Sequence, residues 1–551
     1  MAQPTSSVRH SVILSPWVWG GLIALVGAVD MWGSRFDVNP DGISYIEMAQ
    51  HAVTGAADGF VNGYWSPGYP MLIAPVLRLV GQDWVTAVPA LHLVNLILLL
   101  LAGSLCLRIV RAIPAPGVAP LAAPIAAAAF SLVTIKCIGL GLVTPDVAVT
   151  LIVLAAVACV FQLEQSTHSW RWAAALGASL ALGYWFKGIM LPLGAMLLAL
   201  LWLMPPRTER GRLKIVLAAA VFALGSLPLI AMVSARVGHV TMGEVGRLNY
   251  AWEVDGVLPF TGWVGDSTAP FGTPTHPPRV LQPEPQTLEF ARPLRATYAL
   301  WFDPSYWYAG VRARFDAAGQ WRVLRVGLND LRWLLQRVGV VALGLIALWF
   351  ATRRDDDARA RTRVTGVLAV WSIAAMLVYA LVHVEPRYLA GFVLVLVIVT
   401  WTELARRASR RATSWVAALA VVVMLVSLGE DILENTGGFP SSYRPDYLID
   451  GGKLRAAGIA PGDPVAMVGD AFEAYAAFAI GSPIIAQVMD STGYWALTPA
   501  ARADLQGRLS GAGVRAILAN NVDARMTGEG WRILARPDSS NLGVLLLRRL
   551  E

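Results

Sequence analysis

The chain reads as an all-α polytopic membrane domain followed by a small α/β domain, and three observations lead there. Its 551 residues are 56% hydrophobic and only 15% charged, with mean hydropathy +0.55. The apolar residues come in long blocks rather than in alternating patterns. Five short β-like runs close the chain: VAMVG, PIIAQV, VRAILAN, WRILA and GVLLLRR. A helix needs roughly 20 apolar residues to cross the hydrocarbon of a bilayer, and about eleven runs approach that length. They lie near 12–32, 84–107, 117–136, 143–162, 172–186, 188–204, 214–234, 333–351, 364–382, 389–404 and 413–429. The membrane domain is therefore drawn over 1–435 and the α/β domain over 440–551, joined by a linker containing GGFPSSYRPD.

Orientation follows from the basic residues. Threading alternate loops puts Arg9, Arg108, Arg111, Arg171, Arg207, Arg210, Arg212 and Lys214 on one side, together with Arg353, Arg354, Arg359, Arg361, Arg363, Arg406, Arg407, Arg410 and Arg411. Lys and Arg collect in cytoplasmic loops, so that side is the cytoplasm. An odd number of spans then leaves the amino terminus inside and the carboxyl-terminal domain outside, as in a multi-pass protein of a bacterial inner membrane. Arg9 flanks the first apolar segment but no small-residue cleavage site follows it, so the segment reads as a retained anchor. The net charge of +7 is then a set of topological markers and calls for no nucleic-acid partner. Cys106, Cys137 and Cys159 lie in or at the ends of expected spans without metal-ligand spacing, and read as small packing residues.

Two further external stretches follow from this topology, 33–83 and 236–330. The first contains RFDVNPDGISYIEMAQHAVTG, which places Asp37, Asp41 and Glu47 just beyond the first span. Pro40 restricts Asn39 and lets a helix begin at Asp41. Ile43, Ile46, Ala49 and Val53 then share a stripe, which predicts a short amphipathic helix at the membrane interface. Asp41 is either the cap of that helix or a functional carboxylate at a cavity mouth. Other polar residues fall on the same side: Asp146 in TPD, Lys187 in GYWFKGIMLP, and His383, Glu385, Arg387 and Tyr388 in VHVEPRYLAG. A charge inside or beside a span is costly and tends to mark a functional cavity, although each residue taken singly also fits an interfacial anchor or a satisfied pair. Together they supply carboxylates for a base acting on a hydroxyl and cations for a lipid phosphate.

The 236–330 stretch is rich in rings and acids: Trp252, Trp263, Trp301, Trp307 and Tyr308 stand among Glu253, Asp255, Asp266 and Asp303. Rings paired with carboxylates hold carbohydrate, and rings also anchor loops at an interface. His276 in THPPR has no second ligand at metal spacing and reads as a structural histidine.

These motifs, NPDGISYIEMA, GYWSPGYPMLIAP, TPD, FKGIMLP and EPRY, resemble those of the GT-C superfamily of integral-membrane glycosyltransferases. The nearest branch is that of the lipid A aminoarabinose transferases and protein O-mannosyltransferases. The resemblance is carried by Trp17 to Met204 and by the EPRY region. It implies transfer of a sugar from a polyprenyl-phosphate carrier to a glycan, lipid or protein acceptor at the outer face, with inversion, in cell-envelope assembly. Asp41 would be the base, Asp146 would orient donor or acceptor sugar, and Lys187 and Arg387 would hold the donor phosphate. Many relatives carry two adjacent acids in the first loop, whereas Gly42 follows Asp41 here. Asp37 or Glu47 would supply a second carboxylate, and a divalent cation such as Mg²⁺ or Mn²⁺, if used, would fall to Asp37, Asp41 and Asp146. Trp263, His276, His383, Glu385 and Tyr388 complete the candidate substrate-binding set. A transporter or flippase would also explain spans and intramembrane charges, but it is expected to show internal repeats, and none is evident. A polysaccharide polymerase would share the large outer loop without accounting for the acids of the first.

Overall fold

The computed structural model describes residues 15–55, 59–113, 121–165, 169–205, 209–258, 271–290, 296–351, 363–407, 412–435, 446–472, 475–519, 531–533 and 546–549. The chain divides into two compact units. One comprises Met1–Arg35, His92–Leu229 and Gln320–Ser441, and the other Phe36–Leu91, Ile230–Gly319 and Ser442–Glu551.

The first unit is helical, and every apolar run of the sequence has become a helix. Pro16–Gly33, Trp84–Ala112, Ala122–Cys137, Asp146–Gln165, Ser169–Phe186 and Met190–Leu203 are followed by Gly211–Val237, Gly339–Ala351, Arg363–Ala380, Pro386–Arg407 and Ala412–Asn435. Among the described residues, four stretches are long and apolar enough to cross a membrane: Trp84–Ala112, Asp146–Gln165, Gly211–Val237 and Pro386–Leu404. The central helices are sheathed by protein, with 72% of the apolar window of Asp146–Gln165 buried, whereas only 28% of the window of Gly211–Val237 is. Leu224 and Leu227 on that outer helix are exposed, as befits a face turned to lipid.

Several polar groups inside this unit find partners in the protein, because lipid offers none. Asp30 accepts from the Leu140 amide at 2.6 Å, Asn95 donates to the Leu142 carbonyl at 2.9 Å, and the indole N–H of Trp371 donates to the Leu193 carbonyl at 2.8 Å. Packing is closest where glycine removes the side chain. A Cβ on Gly177 would lie 2.3 Å from the Ala218 carbonyl oxygen.

The second unit contains a seven-stranded sheet. Its strands are β1 Arg279–Gln282, β2 Thr287–Glu289, β3 Val465–Val468, β4 Ile484–Val488, β5 Ala516–Ala519, β6 Arg532–Ile533 and β7 Leu546–Arg549, in the order β1-β2-β4-β3-β5-β7-β6. All five expected β-like runs are strands. The central β4, β3 and β5 are parallel, and β2 and β7 add antiparallel edges. Parallel strands lie buried on both faces, and VAMV and AILA are buried at every position. The sheet is not made by the carboxyl-terminal segment alone: β1 and β2 come from the 236–330 stretch. The chain after β2 stays on the sheet, since the Ile484 amide donates to the Thr297 carbonyl at 2.8 Å and the Tyr298 hydroxyl bonds the Gln487 side-chain oxygen at 3.1 Å. Alternation alone could not show this pairing, which joins residues some two hundred positions apart.

Two helices differ from the expected layout. Ala317–Arg337 is a continuous amphipathic helix with Trp321 and Trp333 exposed, so the helical chain begins before residue 330. Pro40–Thr54 exists as expected, yet residues 42–49 are buried on every side. It packs beside Gly68–Val80, with Tyr45 edge-on to Trp65 and Tyr69, and is enclosed by protein rather than resting on an interface.

Replacing Gly177 with Val drives a branched side chain into the Ala218 carbonyl. The expected outcome is a loss of about 1–3 kcal/mol, read as a lowered melting temperature in detergent, while Gly246→Val, where a Cβ meets nothing within 4 Å, leaves packing space intact and costs far less.

Candidate active site

The first-loop carboxylates sit on the Pro40–Thr54 helix and the turn before it. Pro40 occupies the first helical position, and the Asn39 side chain caps the helix by accepting from the Gly42 amide at 3.0 Å. Asp41 is therefore not the capping residue. It lies in the first turn, partly buried, and its Oδ1 accepts from the Trp301 indole N–H at 3.3 Å. An acid in the first turn is favoured by the helix dipole. Asp37 stands on the incoming chain ahead of the cap.

Glu47, two turns on, is buried and accepts from the Thr297 amide at 2.8 Å and from the Thr297 hydroxyl. Burial pushes its carboxyl up from 4.5 to about 7, an effect the Thr297 hydrogen bonds only partly offset. It ties the helix to the 297–308 segment rather than presenting a second carboxylate beside Asp41. The Asn62 side chain adds a second tie. It accepts from the amides of Tyr64 and Trp65 at 3.0 and 2.6 Å and donates to the Phe302 carbonyl at 3.0 Å. Nothing in the sequence beyond an Asn-Gly turn signal marked Asn62, and Thr297 carried no signal at all. Trp252, Trp307 and Tyr308 are buried among one another and their neighbours, whereas Trp301 keeps partial exposure and stacks edge-on to Trp65 and Phe472. Most of the rings thus serve packing. Trp263 lies outside the described residues. His276 stacks flat on Tyr306, centroids 3.9 Å apart, and its Nδ1 is 3.1 Å from the Tyr306 carbonyl.

In the helical unit, residues widely separated in sequence converge. Asp146 opens its helix and is almost wholly buried; it receives the Thr144 hydroxyl at 2.8 Å and the Lys187 ammonium at 2.6 Å, and the Arg387 guanidinium lies 3.8 Å away. Lys187 also stands 3.4 Å from the centroid of the Tyr388 ring, a cation held over a π face. His383 approaches Glu385 at 3.4 Å. That hydrogen bond, with Arg387 nearby, holds the Glu385 carboxyl below its usual range against the opposing effect of burial. The TPD, FKG and EPRY motifs therefore form one cluster. Two cations face the buried Asp146 carboxylate while the Glu385 carboxylate stands near Arg387, so the cluster is close to charge balance, and both cations remain partly accessible at 18% and 12% of their side-chain surface. Such a place favours an anion with several acceptor oxygens. Among the described residues, no three or more His, Cys, Asp or Glu side chains gather as a metal site.

The buried Glu47 has a pH signature. Its folded-state value of about 7 exceeds the 4.5 of the open chain, so its contribution is fully present below about pH 4.5 and is lost as pH rises through about 7. Wild-type protein should lose on the order of 3 kcal/mol across that window from this group. Glu47→Gln, which keeps an acceptor for Thr297 without the charge, should flatten the fall of melting temperature between pH 5 and 8. An unchanged slope would show that Glu47 does not titrate there.

No family model matches the chain, and no curated protein matches it. Solved structures do. ArnT from Cupriavidus metallidurans bound to undecaprenyl phosphate is similar over 96% of this chain and 98% of its own, with TM-score 0.58 at 14% identity. The apo ArnT structure gives TM-score 0.56 at 14% identity, over 96% and 97%. The archaeal oligosaccharyltransferase AglB from Archaeoglobus fulgidus, in complex with an inhibitory peptide and a dolichol-phosphate, covers 92% of this chain and 69% of that one, with TM-score 0.50 at 13% identity. Across nearly its whole length this chain shares its fold with these structures, which are GT-C glycosyltransferases.

Proposed function

We propose that the protein is a polyprenyl-phosphate-sugar-dependent glycosyltransferase that moves a sugar to an acceptor hydroxyl at the outer face of a bacterial inner membrane. The observation that carries this reading is the Asp146–Lys187–Arg387 cluster, two partly accessible cations held on a buried carboxylate in a membrane protein of GT-C fold. The lipid phosphates in the ArnT and AglB structures support the same class of donor. Lys187 and Arg387 hold the donor phosphate, and Asp146 holds the two cations in place. As the bond between the sugar's anomeric carbon and the phosphate oxygen breaks, charge develops on the departing phosphate, where those cations stabilise it. The acceptor oxygen forms the new bond on the opposite face of that carbon, with inversion, and its proton passes to Asp41. Trp301 keeps the Asp41 carboxylate oriented for that step. The acceptor is a glycan, lipid or protein hydroxyl.

The test is turnover of a polyprenyl-phosphate sugar by purified protein in detergent. Asp41→Asn, which keeps shape and loses the proton acceptor, should lower turnover about 10²- to 10⁴-fold with little change in donor binding. Arg387→Met leaves Lys187 on Asp146, so it should fold and raise the apparent KM for the donor more than that for the acceptor. Lys187→Ala strips the buried Asp146 of its nearest partner and should cost about 3–5 kcal/mol of stability, which makes it the poorer probe. Near wild-type turnover by a folded Asp41→Asn protein would overturn the assignment of the base.

The membrane reading takes about eleven spans, the amino terminus in the cytoplasm and the sheet-bearing segments outside. Reporter fusions at Gly272 and Gly462 should behave as external. Cytoplasmic behaviour at either position would reverse the orientation and with it the external site.

A further inference from the structure

The second unit holds a cavity of about 690 Å³ walled by residues 235–239, 244, 247, 275–276, 303, 305–306 and 309–312. Its volume is that of a ligand pocket rather than a packing defect. The rim is built. Gly272 and Gly310 have φ of +101° and +94°, and a Cβ on Gly310 would stand 2.0 Å from the Thr273 carbonyl oxygen. Two chain segments thus cross in backbone contact, with the Thr275 amide on the Ala309 carbonyl at 2.9 Å and the Arg312 amide on the Phe271 carbonyl at 2.7 Å. Arg312 is fixed by that crossing at the cavity wall.

Charge distinguishes this cavity. Arg247 is spoken for, since its Nε donates to Glu244 at 2.7 Å and a terminal nitrogen donates to the Val311 carbonyl. Asp303 lies 3.7 Å from Arg236, too far for a hydrogen bond, and takes its hydrogen bonds from the Ser305 hydroxyl and the Tyr306 amide instead. The Arg236 guanidinium, with five N–H donors, therefore stands 26% exposed on the wall with no hydrogen bond among the described residues. No carboxylate among them pairs with Arg312. Three arginines face two carboxylates, and the unmatched charge is positive.

The remaining wall is flat. The His276 and Tyr306 rings lie within 6° of parallel. A carbonyl can only accept, so His276 carries its proton on Nδ1 toward the Tyr306 carbonyl and leaves Nε2 to accept from a hydroxyl. A ring slab beside hydrogen-bonding groups suits a sugar face, and donor-rich guanidinium groups suit an oxyanion. The same 301–308 segment carries Trp301, which donates to Asp41.

We propose that this cavity binds an anionic saccharide, a sugar bearing a phosphate or carboxylate, as part of the acceptor. The acceptor role rests on Asp41 being the base; the binding itself does not. Titration calorimetry on the purified full-length protein in detergent, with glucose 6-phosphate, glucuronic acid, glucose and inorganic phosphate as probes, tests it. Both anionic sugars should bind at least tenfold more tightly than glucose or inorganic phosphate. Arg312→Ala, at an exposed position, and His276→Ala, at a partly exposed one, should each weaken binding at least fivefold. Equal affinity for glucose would remove the anion site, equal affinity for inorganic phosphate would remove the saccharide, and unchanged binding by both variants would place any site elsewhere. Displacement of the sugars by excess undecaprenyl phosphate would assign the cavity to the donor and overturn the proposal. Should binding behave as expected while Asp41→Asn retains full turnover, the cavity stands and the assignment of the base falls.

Discussion

A polar group withdrawn from water must find its partner inside the protein, and that constraint organises both units. In the helical unit it brings Asp146, on one helix, to Lys187 and Arg387, which follow it by 41 and 241 positions. Asp146, the most deeply buried of the three, is not tolerable at its depth without a cation beside it, since a buried charge left unpaired costs several kcal/mol. The motifs are therefore held together by their own electrostatics.

The second unit answers the same constraint with hydrogen bonds. Glu47 loses water on burial and recovers part of the loss from the Thr297 amide and hydroxyl. Thr297 in turn accepts from Ile484 of β4 through its carbonyl. A continuous line of bonded groups thus runs from the first-loop helix through residues 297–308 to the sheet. Trp301 lies on that line, so the orientation of Asp41 depends on segments separated from it by more than two hundred residues. The β1 and β2 strands make the same connection at the level of backbone, since they bring the middle stretch of the chain into the sheet of the carboxyl-terminal segment.

Burial also explains where single-residue expectations and the structure differ. A stripe of Ile43, Ile46 and Ala49 is what an interfacial helix and an enclosed helix have in common on one face. What separates them is the opposite face, where Tyr45, Met48 and Glu47 are also covered. Their cover is Tyr69, Asn62 and Thr297, residues whose proximity no local pattern records. The alternative of Asp41 as cap fails for a local reason, because Asn39 already accepts from the Gly42 amide. The aromatic run of the middle stretch reads as a sugar platform in sequence, yet Trp307 and Tyr308 are core residues. Apolar rings bury themselves when a backbone cavity admits them, whatever carboxylates stand nearby.

The sequence by itself determined the apolar helices, the carboxyl-terminal strands and the chemistry at hand. Apolar run length is a local property tied to bilayer thickness, so every expected run from 16 to 435 is helical, and the β-like runs VAMV and AILA are strands because their buried, branched residues admit little else. It also singled out Asp146, Lys187 and Arg387, since charges in apolar surroundings are conspicuous without any knowledge of their partners. Tertiary structure alone decided which charges meet, that Glu47 is a tie rather than a second acid beside Asp41, and that β1 and β2 join a sheet otherwise made far downstream. It also created the cavity among Arg236, Arg312, His276 and Tyr306, of which His276 alone stood out in the sequence. The reason is physical: propensity and hydropathy act over a few residues, whereas pairing a buried charge or closing a sheet edge is settled by whichever distant segment can supply the missing partner.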